Sequence, residues 1–202
     1  IVNSLGKQDA KVIDIERKPK KSYAPGLYDL TELQRDANKM FGYSAKETLN
    51  IMQKLYESHK VLTYPRTDSR YLSSDIVSTL PDRLKACGVG EYRSLANKVL
   101  TKPIKANKSF VDDSKVSDHH AIIPTEEYVN FSNFTDKERK IYDLVVKRFI
   151  AVLFPAHEFE QLTVIAQIGN EKFVARGKTV LTAGWKEVYS NRFDDEELNE
   201  DV

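Results

Sequence analysis

The chain has 202 residues, and its 31 Lys and Arg nearly balance its 30 Asp and Glu, which leaves a net charge of +1. Such a length allows one sizeable domain or two small ones, and the balanced charge means that any phosphate-binding surface must come from local clustering. The single cysteine, Cys87, excludes an internal disulfide and a cysteine-rich zinc site. No membrane-span-length apolar run and no signal peptide are visible, so we expect a cytoplasmic chain.

The first 21 residues are polar and contain one alternating segment, 11–16, which predicts a short strand. A strand of this length is not stable alone and must pair with a later one. The basic run that follows, 17–21, is interpreted as a solvated connector.

Two helices with boundary signals come next. Thr31 with Gln34 predicts the start of the first helix and Ser44 with Glu47 the start of the second, both as capping boxes, and Gly42 predicts the end of the first. Two helices joined by so short a turn form a corner like a helix-turn-helix. The pattern favours core packing over DNA reading, and both interpretations stay open.

The second helix leads into Val61-Leu-Thr-Tyr-Pro-Arg-Thr-Asp-Ser-Arg-Tyr71, where Pro65 ends an extended run at Tyr64. Arg66 lies two residues further on, so an extended backbone directs both side chains to one side. A nearby guanidinium favours the phenolate and can neutralise a phosphate. Small polar residues able to orient this pair follow: Thr67, Asp68 and Ser69. On its own, however, Tyr-Pro-Arg is more often a turn with a half-buried aromatic ring.

Short helices are predicted up to residue 100, and a lysine-rich loop follows. This loop is either solvated or a rim that tracks a nucleic-acid backbone, since spaced lysines contact phosphates without reading sequence. Its candidate DNA-binding lysines are Lys102, Lys105 and Lys108, and Arg70 is added from the tyrosine segment. Further along, His119 and His120 precede an apolar run; a metal site is not expected there, because neighbouring side chains on a strand diverge and no cysteine is near.

The longest helix is predicted to begin at the Thr135–Glu138 capping box and to end at Phe154. From residue 158 the apolar period changes to two, with a tight turn at Gly169-Asn170, which predicts antiparallel strands. We therefore predict an α+β fold, with a mainly helical domain, 25–156, inserted into a partial antiparallel β module made from the two chain ends, 1–24 and 157–193. Residues 194–202 are predicted to form an acidic, disordered tail.

Two long strings carry a family resemblance: Leu62-Thr-Tyr-Pro-Arg-Thr-Asp-Ser69 and Ser117-Asp-His-His-Ala-Ile-Ile-Pro-Thr125, about 55 residues apart. In this order they resemble the active-site tyrosine and histidine segments of type IA DNA topoisomerases. The Tyr-Pro-Arg sequence and the two adjacent histidines are similar to those of the bacterial topoisomerase III branch. The similarity extends from Ala24-Pro-Gly-Leu-Tyr to Gly184-Trp185. It implies that the helical domain carries the catalytic tyrosine and that the β module is part of a gate or arch.

The resemblance implies that Tyr64 attacks a phosphodiester of single-stranded DNA to form a 5′-phosphotyrosyl link, which gates strand passage without ATP. Arg66 would stabilise the phosphate, and His119 would contact it, although His120 could exchange roles with His119. Supporting roles fall to Thr67, Asp68 and Ser69.

The acidic metal-binding module of this family is not recognisable in the sequence. The resemblance therefore implies that Mg²⁺ binds outside this chain and that none binds within it. Together with a start at Ile1, it implies an excised fragment, monomeric and inactive alone, whose partners are single-stranded DNA and the missing domains of the same polypeptide. The expected location is the cytoplasm, in association with the nucleoid. The alternatives are a non-catalytic helix-turn-helix DNA-binding module and a protein-interaction scaffold.

Overall fold

The computed structural model describes residues 9–190, so the predicted acidic tail, 194–202, lies outside the described residues. The described chain divides into two compact units. One contains residues 9–23 and 155–187, and the other contains residues 24–154 and 188–190.

The first unit is a three-stranded antiparallel sheet of order β1-β2-β3. Strand β1 is Lys11–Ser22, β2 is His157–Ile168 and β3 is Glu171–Thr182. Since β1 comes from the start of the chain and the other two from its end, with the helices between them in sequence, the predicted α+β class is confirmed.

Strand β1 is longer than predicted, because the basic run 17–21 belongs to it rather than to a connector. Two acids of β2 explain this difference: Glu160 pairs with Arg17 at 3.0 Å, and Glu158 pairs with Lys21 at 2.6 Å. Opposite charges on adjacent strands support the pairing.

His157 is buried at the start of β2. Its Nδ1 lies 3.1 Å from the carbonyl oxygen of Ala183, and its ring stacks on Phe159. In the same unit, Trp185 Nε1 donates to the carbonyl of Ser22 over 3.0 Å. These contacts fasten the ends of the three strands together.

The second unit is helical. The described residues contain five α-helices: α1 Leu30–Phe41, α2 Ala45–Glu57, α3 Leu80–Cys87, α4 Arg93–Leu100 and α5 Asp136–Leu153. Short 3₁₀ segments lie at Ser74–Thr79, Gly90–Tyr92, Asp113–Lys115, Phe131–Asn133 and Gly184–Tyr189, of which the last belongs mainly to the sheet unit. No helix in the described part of the chain is long and apolar enough to cross a membrane.

The start of α1 differs from the prediction. Its N-cap is Asp29, whose carboxylate accepts a 2.7 Å bond from the Glu32 amide, and not Thr31. Aspartate is as good an N-cap as serine, and the Leu30 amide also donates to the Thr67 carbonyl, which fixes the helix start against the tyrosine segment. Gly42 ends α1 with a φ of 70°, as predicted.

The capping box predicted for α2 forms only in part, whereas the one predicted for α5 forms completely. Ser44 caps α2, but the Glu47 side chain pairs with Lys137. Thr135 and Glu138 form the complete predicted capping box of α5.

The core forms where α1, α2 and α5 pack together. Its buried side chains include Leu33, Ala37, Met52, Leu55, Ile141, Val145 and Phe149. The corner between α1 and α2 therefore buries its apolar face, as the packing interpretation expected.

Candidate functional site

The tyrosine segment is held by backbone pairing with the histidine segment. The Thr63 amide donates to the Ile123 carbonyl, and the Thr125 amide donates to the Val61 carbonyl, each over 3.0 Å. Because Val61 and Leu62 are buried, this pairing places Tyr64 at the edge of the helical core. The motifs that lie far apart in sequence are thus neighbours in space.

Tyr64 is half-buried between two other rings. The His119 ring centroid lies 4.3 Å from that of Tyr64 at an angle of 42°, and the Tyr56 ring meets it edge-on at 5.5 Å. Edge-on and tilted contacts are favourable for aromatic rings, so the phenol is fixed in direction. Within residues 9–190, the Tyr64 hydroxyl has no hydrogen-bond partner, which leaves it available to an incoming group.

A buried threonine connects the two motifs directly. Thr67 Oγ1 donates to the His119 carbonyl over 2.9 Å and accepts the Ser69 amide over 3.1 Å. Ser69 Oγ in turn donates to the carbonyl of Lys115 over 2.8 Å. Both hydroxyls are buried and satisfied, so the loop after Tyr64 is rigid where it meets His119.

Arg66 and Asp68 are exposed. In the described part of the chain neither makes a hydrogen bond or an ion pair. The guanidinium of Arg66 is therefore uncommitted within the described residues and available to an external anion.

His120 is more enclosed than His119. Its Nδ1 lies 2.7 Å from the Ala121 carbonyl oxygen. Burial lowers the pKa of His120 below its ordinary value of 6.5, and the neighbouring charge of Arg83 acts in the same direction, while the Ala121 carbonyl and Asp75 oppose it. Protonation of His120 is therefore less favourable than that of a free imidazole, and His119 is the more exposed of the two residues.

A cavity of about 390 Å³ opens beside these rings, lined by Tyr64, His119 and His120. Three carboxylates that sequence reasoning did not assign to the site also line it: Asp75, Asp113 and Asp118. Asp75 lies in the Ser74–Thr79 segment, far in sequence from Asp113 and Asp118, so no local signal could have grouped the three. Carboxylates accept hydrogen bonds, so the cavity offers hydrogen-bond acceptors beside the two imidazole rings.

Arg83, which is buried behind the histidine segment, was also missed from sequence. Its Nη1 donates to the Pro124 carbonyl over 2.9 Å, its Nε donates to Thr79 Oγ1 over 2.8 Å, and it pairs with Glu126 at 2.9 Å. An arginine on an amphipathic helix gives no hint of such a role in the sequence.

The predicted DNA-binding residues fall into two groups. The three lysines, Lys102, Lys105 and Lys108, are exposed on their loop. Arg70 is partly buried, with Nε donating to the Leu27 carbonyl over 3.0 Å and Nη2 to the Gly26 carbonyl over 3.4 Å. Arg70 therefore holds the backbone at Gly26 and Leu27 against the tyrosine segment.

A larger cavity, of about 640 Å³, lies elsewhere, at the start of α2 and α5. Its lining includes Lys137 and Glu47, which pair with each other. It contains neither motif, so we place the candidate site at the smaller cavity.

No three His, Cys, Asp or Glu side chains within residues 9–190 come together as a metal site. That Mg²⁺ binds in parts of the full-length enzyme beyond this chain stays a prediction.

A protein-family model described as DNA topoisomerase matches residues 1–201. With the paired tyrosine and histidine motifs, this match means that the chain belongs to the type IA DNA topoisomerase family. The DNA topoisomerase 3 of Bacillus anthracis is 79% identical over 202 residues, which are 100% of this chain and 28% of that protein. The DNA topoisomerase 3 of Bacillus subtilis (strain 168) is 58% identical over 199 residues, which are 98% of this chain and 27% of that protein.

Among solved structures, full-length topoisomerase I from Thermotoga maritima matches 93% of this chain and 31% of its own, with a TM-score of 0.68 and 21% identity. That likeness concerns the fold. Because the chain spans less than a third of the length of these proteins, the activity of the whole enzyme is a matter for proposal. The alternative of a non-catalytic helix-turn-helix module is not favoured by the family match.

Proposed function

We propose that this chain is the tyrosine-bearing part of a type IA DNA topoisomerase, similar to topoisomerase III, that cleaves and religates single-stranded DNA. The observation that supports it most is the 4.3 Å contact between the Tyr64 and His119 rings, with the tyrosine hydroxyl free to react. Family membership supports the reaction class, and the ring contact supports the choice of Tyr64 and His119.

In the proposed reaction, the Tyr64 oxygen attacks a backbone phosphorus while its proton passes to water. The new O–P bond forms as the bond from phosphorus to the 3′-oxygen breaks, which leaves a 5′-phosphotyrosyl ester and a free 3′-hydroxyl. The ester keeps the free energy of the original phosphodiester, so the reverse attack reseals the strand without ATP.

His119 and Arg66 stabilise the negative charge on the phosphate and on the departing 3′-oxygen in this step. A protonated His119 donates to a phosphate oxygen or gives its proton to the departing 3′-oxygen. Arg66, exposed and unpaired in the described structure, supplies planar donors to the phosphate. Thr67 and Ser69 hold the loop, and Asp68 orients its neighbours.

The remaining assignments extend the same proposal. The phosphate backbone of single-stranded DNA is contacted by Lys102, Lys105, Lys108 and Arg70. Arg70 uses the N–H groups that are not hydrogen-bonded to the Leu27 and Gly26 carbonyls. The helical domain, 25–156, moves as part of a gate to which 1–24 and 157–193 contribute. Mg²⁺ binds to regions of the full-length enzyme beyond this chain. The chain alone is monomeric and does not relax DNA, and the enzyme acts in the cytoplasm at the nucleoid.

The decisive test uses the full-length protein. Tyr64→Phe should abolish the covalent DNA adduct, and mass spectrometry of the trapped wild-type adduct should place the nucleotide on Tyr64. The matched control is Tyr71→Phe, since Tyr71 lies in the same loop but its hydroxyl accepts from Lys115. Adducts that persist in Tyr64→Phe, or that map to Tyr71, would remove Tyr64 from the mechanism.

A further inference from the structure

Tyr56 continues the buried stripe of α2, yet its ring is not covered. Thr48, Met52 and Leu55 of this helix are completely buried. Tyr56 follows Met52 at the four-residue spacing that places two side chains on one face of a helix. Tyr56 nevertheless keeps 37% of its surface exposed. The core of the helical unit therefore ends at Tyr56, whose ring remains partly in solvent.

The Tyr56 ring is restrained by its contact with Tyr64. The two ring centroids are 5.5 Å apart, and the rings are almost perpendicular, at 79°, which is a favourable arrangement for aromatic rings. Among the described residues, Tyr56 contacts no other aromatic ring, and its hydroxyl has no hydrogen-bond partner. Because one perpendicular neighbour cannot cover both faces of a ring, at least one face of Tyr56 is free of aromatic contact.

The backbone that carries Tyr56 is fixed by buried contacts. The Val61 amide donates to the Leu55 carbonyl over 3.0 Å, so the chain that leaves α2 returns to its last turn before it reaches Tyr64. The side chains of Leu55 and Val61 are both buried. The two tyrosines are therefore held at a set separation, as a group that positions a ligand must be.

A nucleobase has to approach Tyr64 whenever the Tyr64 oxygen attacks a phosphate, since that phosphate joins two nucleosides. The faces of unpaired bases in a single strand are apolar, and proteins bind them on aromatic side chains. Two rings contact Tyr64, those of His119 and Tyr56. His119 is assigned to the phosphate, which leaves the uncharged ring of Tyr56 as the surface for a base.

We propose that the exposed ring of Tyr56 stacks on a nucleobase that flanks the phosphate at Tyr64. The ligand is an unpaired base of single-stranded DNA, and its identity matters little because every base has a π face. Tyr56 makes and breaks no bond, so it is a positioning residue for the strand. This inference rests on the proposed function, which brings single-stranded DNA to Tyr64.

The first test measures binding without cleavage, in full-length protein that carries Tyr64→Phe. Tyr56→Leu removes the second ring but keeps an apolar side chain on the α2 stripe, and Tyr56→Phe removes only the hydroxyl. The control is Tyr128→Ala, since Tyr128 is 74% exposed but is not one of the rings that contact Tyr64. Each protein is titrated by anisotropy with fluorescein-labelled oligo(dT) and with an abasic oligomer of the same length, across a salt series. Circular dichroism checks folding.

Tyr56→Leu should weaken the binding of oligo(dT) by about fivefold or more, the effect of losing one stacked base. Its binding of the abasic oligomer should not change, and the salt slope should stay the same because no phosphate contact is lost. Tyr56→Phe and Tyr128→Ala should bind both oligomers as the parent does. The proposal is overturned if Tyr56→Leu binds oligo(dT) normally, if both oligomers lose affinity equally, or if Tyr56→Phe loses as much as Tyr56→Leu.

A second test locates the stacked base, in full-length protein with Tyr64 intact. An oligonucleotide with one mapped cleavage site receives an abasic residue on one side or the other of the reacting phosphate. At one of these positions the abasic residue should lower the amount of covalent adduct, and it should have no further effect in Tyr56→Leu. Equal effects in both proteins would mean that Tyr56 does not contact a flanking base. The binding test does not depend on cleavage, so its failure and a failure of the Tyr64 adduct test are distinguishable.

Discussion

The hydroxyl of Thr67 donates a 2.9 Å hydrogen bond to the backbone carbonyl of His119 and so joins the tyrosine segment to the histidine segment. The same oxygen accepts the Ser69 amide. One buried hydroxyl thus satisfies groups on both motifs, and its loss would leave both unsatisfied.

Thr67→Val keeps the shape of the side chain but removes this hydroxyl. We expect a loss of about 2 kcal/mol in the free energy of unfolding, because the part-buried His119 carbonyl and the buried Ser69 amide lose their hydrogen-bond partner. Urea denaturation of the chain measures it. Covalent adduct formation by the full-length protein should also slow, because His119 is no longer held beside Tyr64.

Thr67→Ser is the control, since it retains the hydroxyl. It should restore adduct formation close to the wild-type rate. A Thr67→Val protein with unchanged stability and unchanged adduct formation would show that the bond does not position His119.

The lowered pKa of His120 predicts a pH dependence of stability. The unfolded chain binds a proton at this residue near pH 6.5, whereas burial opposes protonation in the folded chain. Its contribution to stability is therefore complete above about pH 6.5 and decreases as the pH falls below that value.

His120→Gln should make the free energy of unfolding less dependent on pH between about 5 and 7, as measured by urea denaturation at several pH values. His119→Gln serves as the comparison, because the His119 ring is exposed. An equal reduction in both variants would contradict a specific effect of burial at His120.

Arg148 forms a partly buried network with residues at the start of the helical unit. Its Nη2 donates to Asp36 over 2.7 Å and to the Tyr28 hydroxyl over 2.8 Å, and its Nη1 donates to the Gly26 carbonyl over 3.2 Å. Arg148→Gln should cost about 2 kcal/mol, because Asp36 loses its charged partner and keeps the hydrogen bond from the Tyr28 hydroxyl.

Arg148→Lys should recover less than half of that loss, since an ammonium lacks the planar donors that reach three acceptors. The surface control is Arg35→Gln, which breaks an exposed pair with Glu32 and should change stability by about 0.5 kcal/mol or less. Chemical denaturation of the three variants provides the comparison, and a full recovery by lysine would contradict the role of planar geometry.

Gly184 and Gly42 both have positive φ angles, 56° and 70°, but only Gly184 is crowded. A Cβ at Gly184 would lie 2.2 Å from the carbonyl oxygen of Ala156, whereas nothing lies within 4 Å of a Cβ at Gly42. Gly42→Ala should therefore cost about 1 kcal/mol from backbone strain alone, and Gly184→Ala at least twice as much. Equal costs in thermal or urea unfolding would show that the clash relaxes freely.

Local sequence signals were sufficient for several features. The Thr135–Glu138 box and the stop at Gly42 were predictable because each depends on residues within one turn. The period-two pattern after residue 157 with the Gly169-Asn170 turn likewise predicted strands. The sequence also determined the family, because two long motifs in fixed order are specific.

Tertiary structure decided the rest. The basic run 17–21 became strand because acids 143 and 137 residues later pair with it, and the start of α1 moved to Asp29 because the Leu30 amide meets the tyrosine loop. The cavity carboxylates and the buried guanidinium of Arg83 likewise depend on chain segments that meet only after folding. Sequence patterns report neighbours within a few residues along the chain, whereas burial, charge pairing and the distance between Tyr64 and His119 depend on which distant segments pack together.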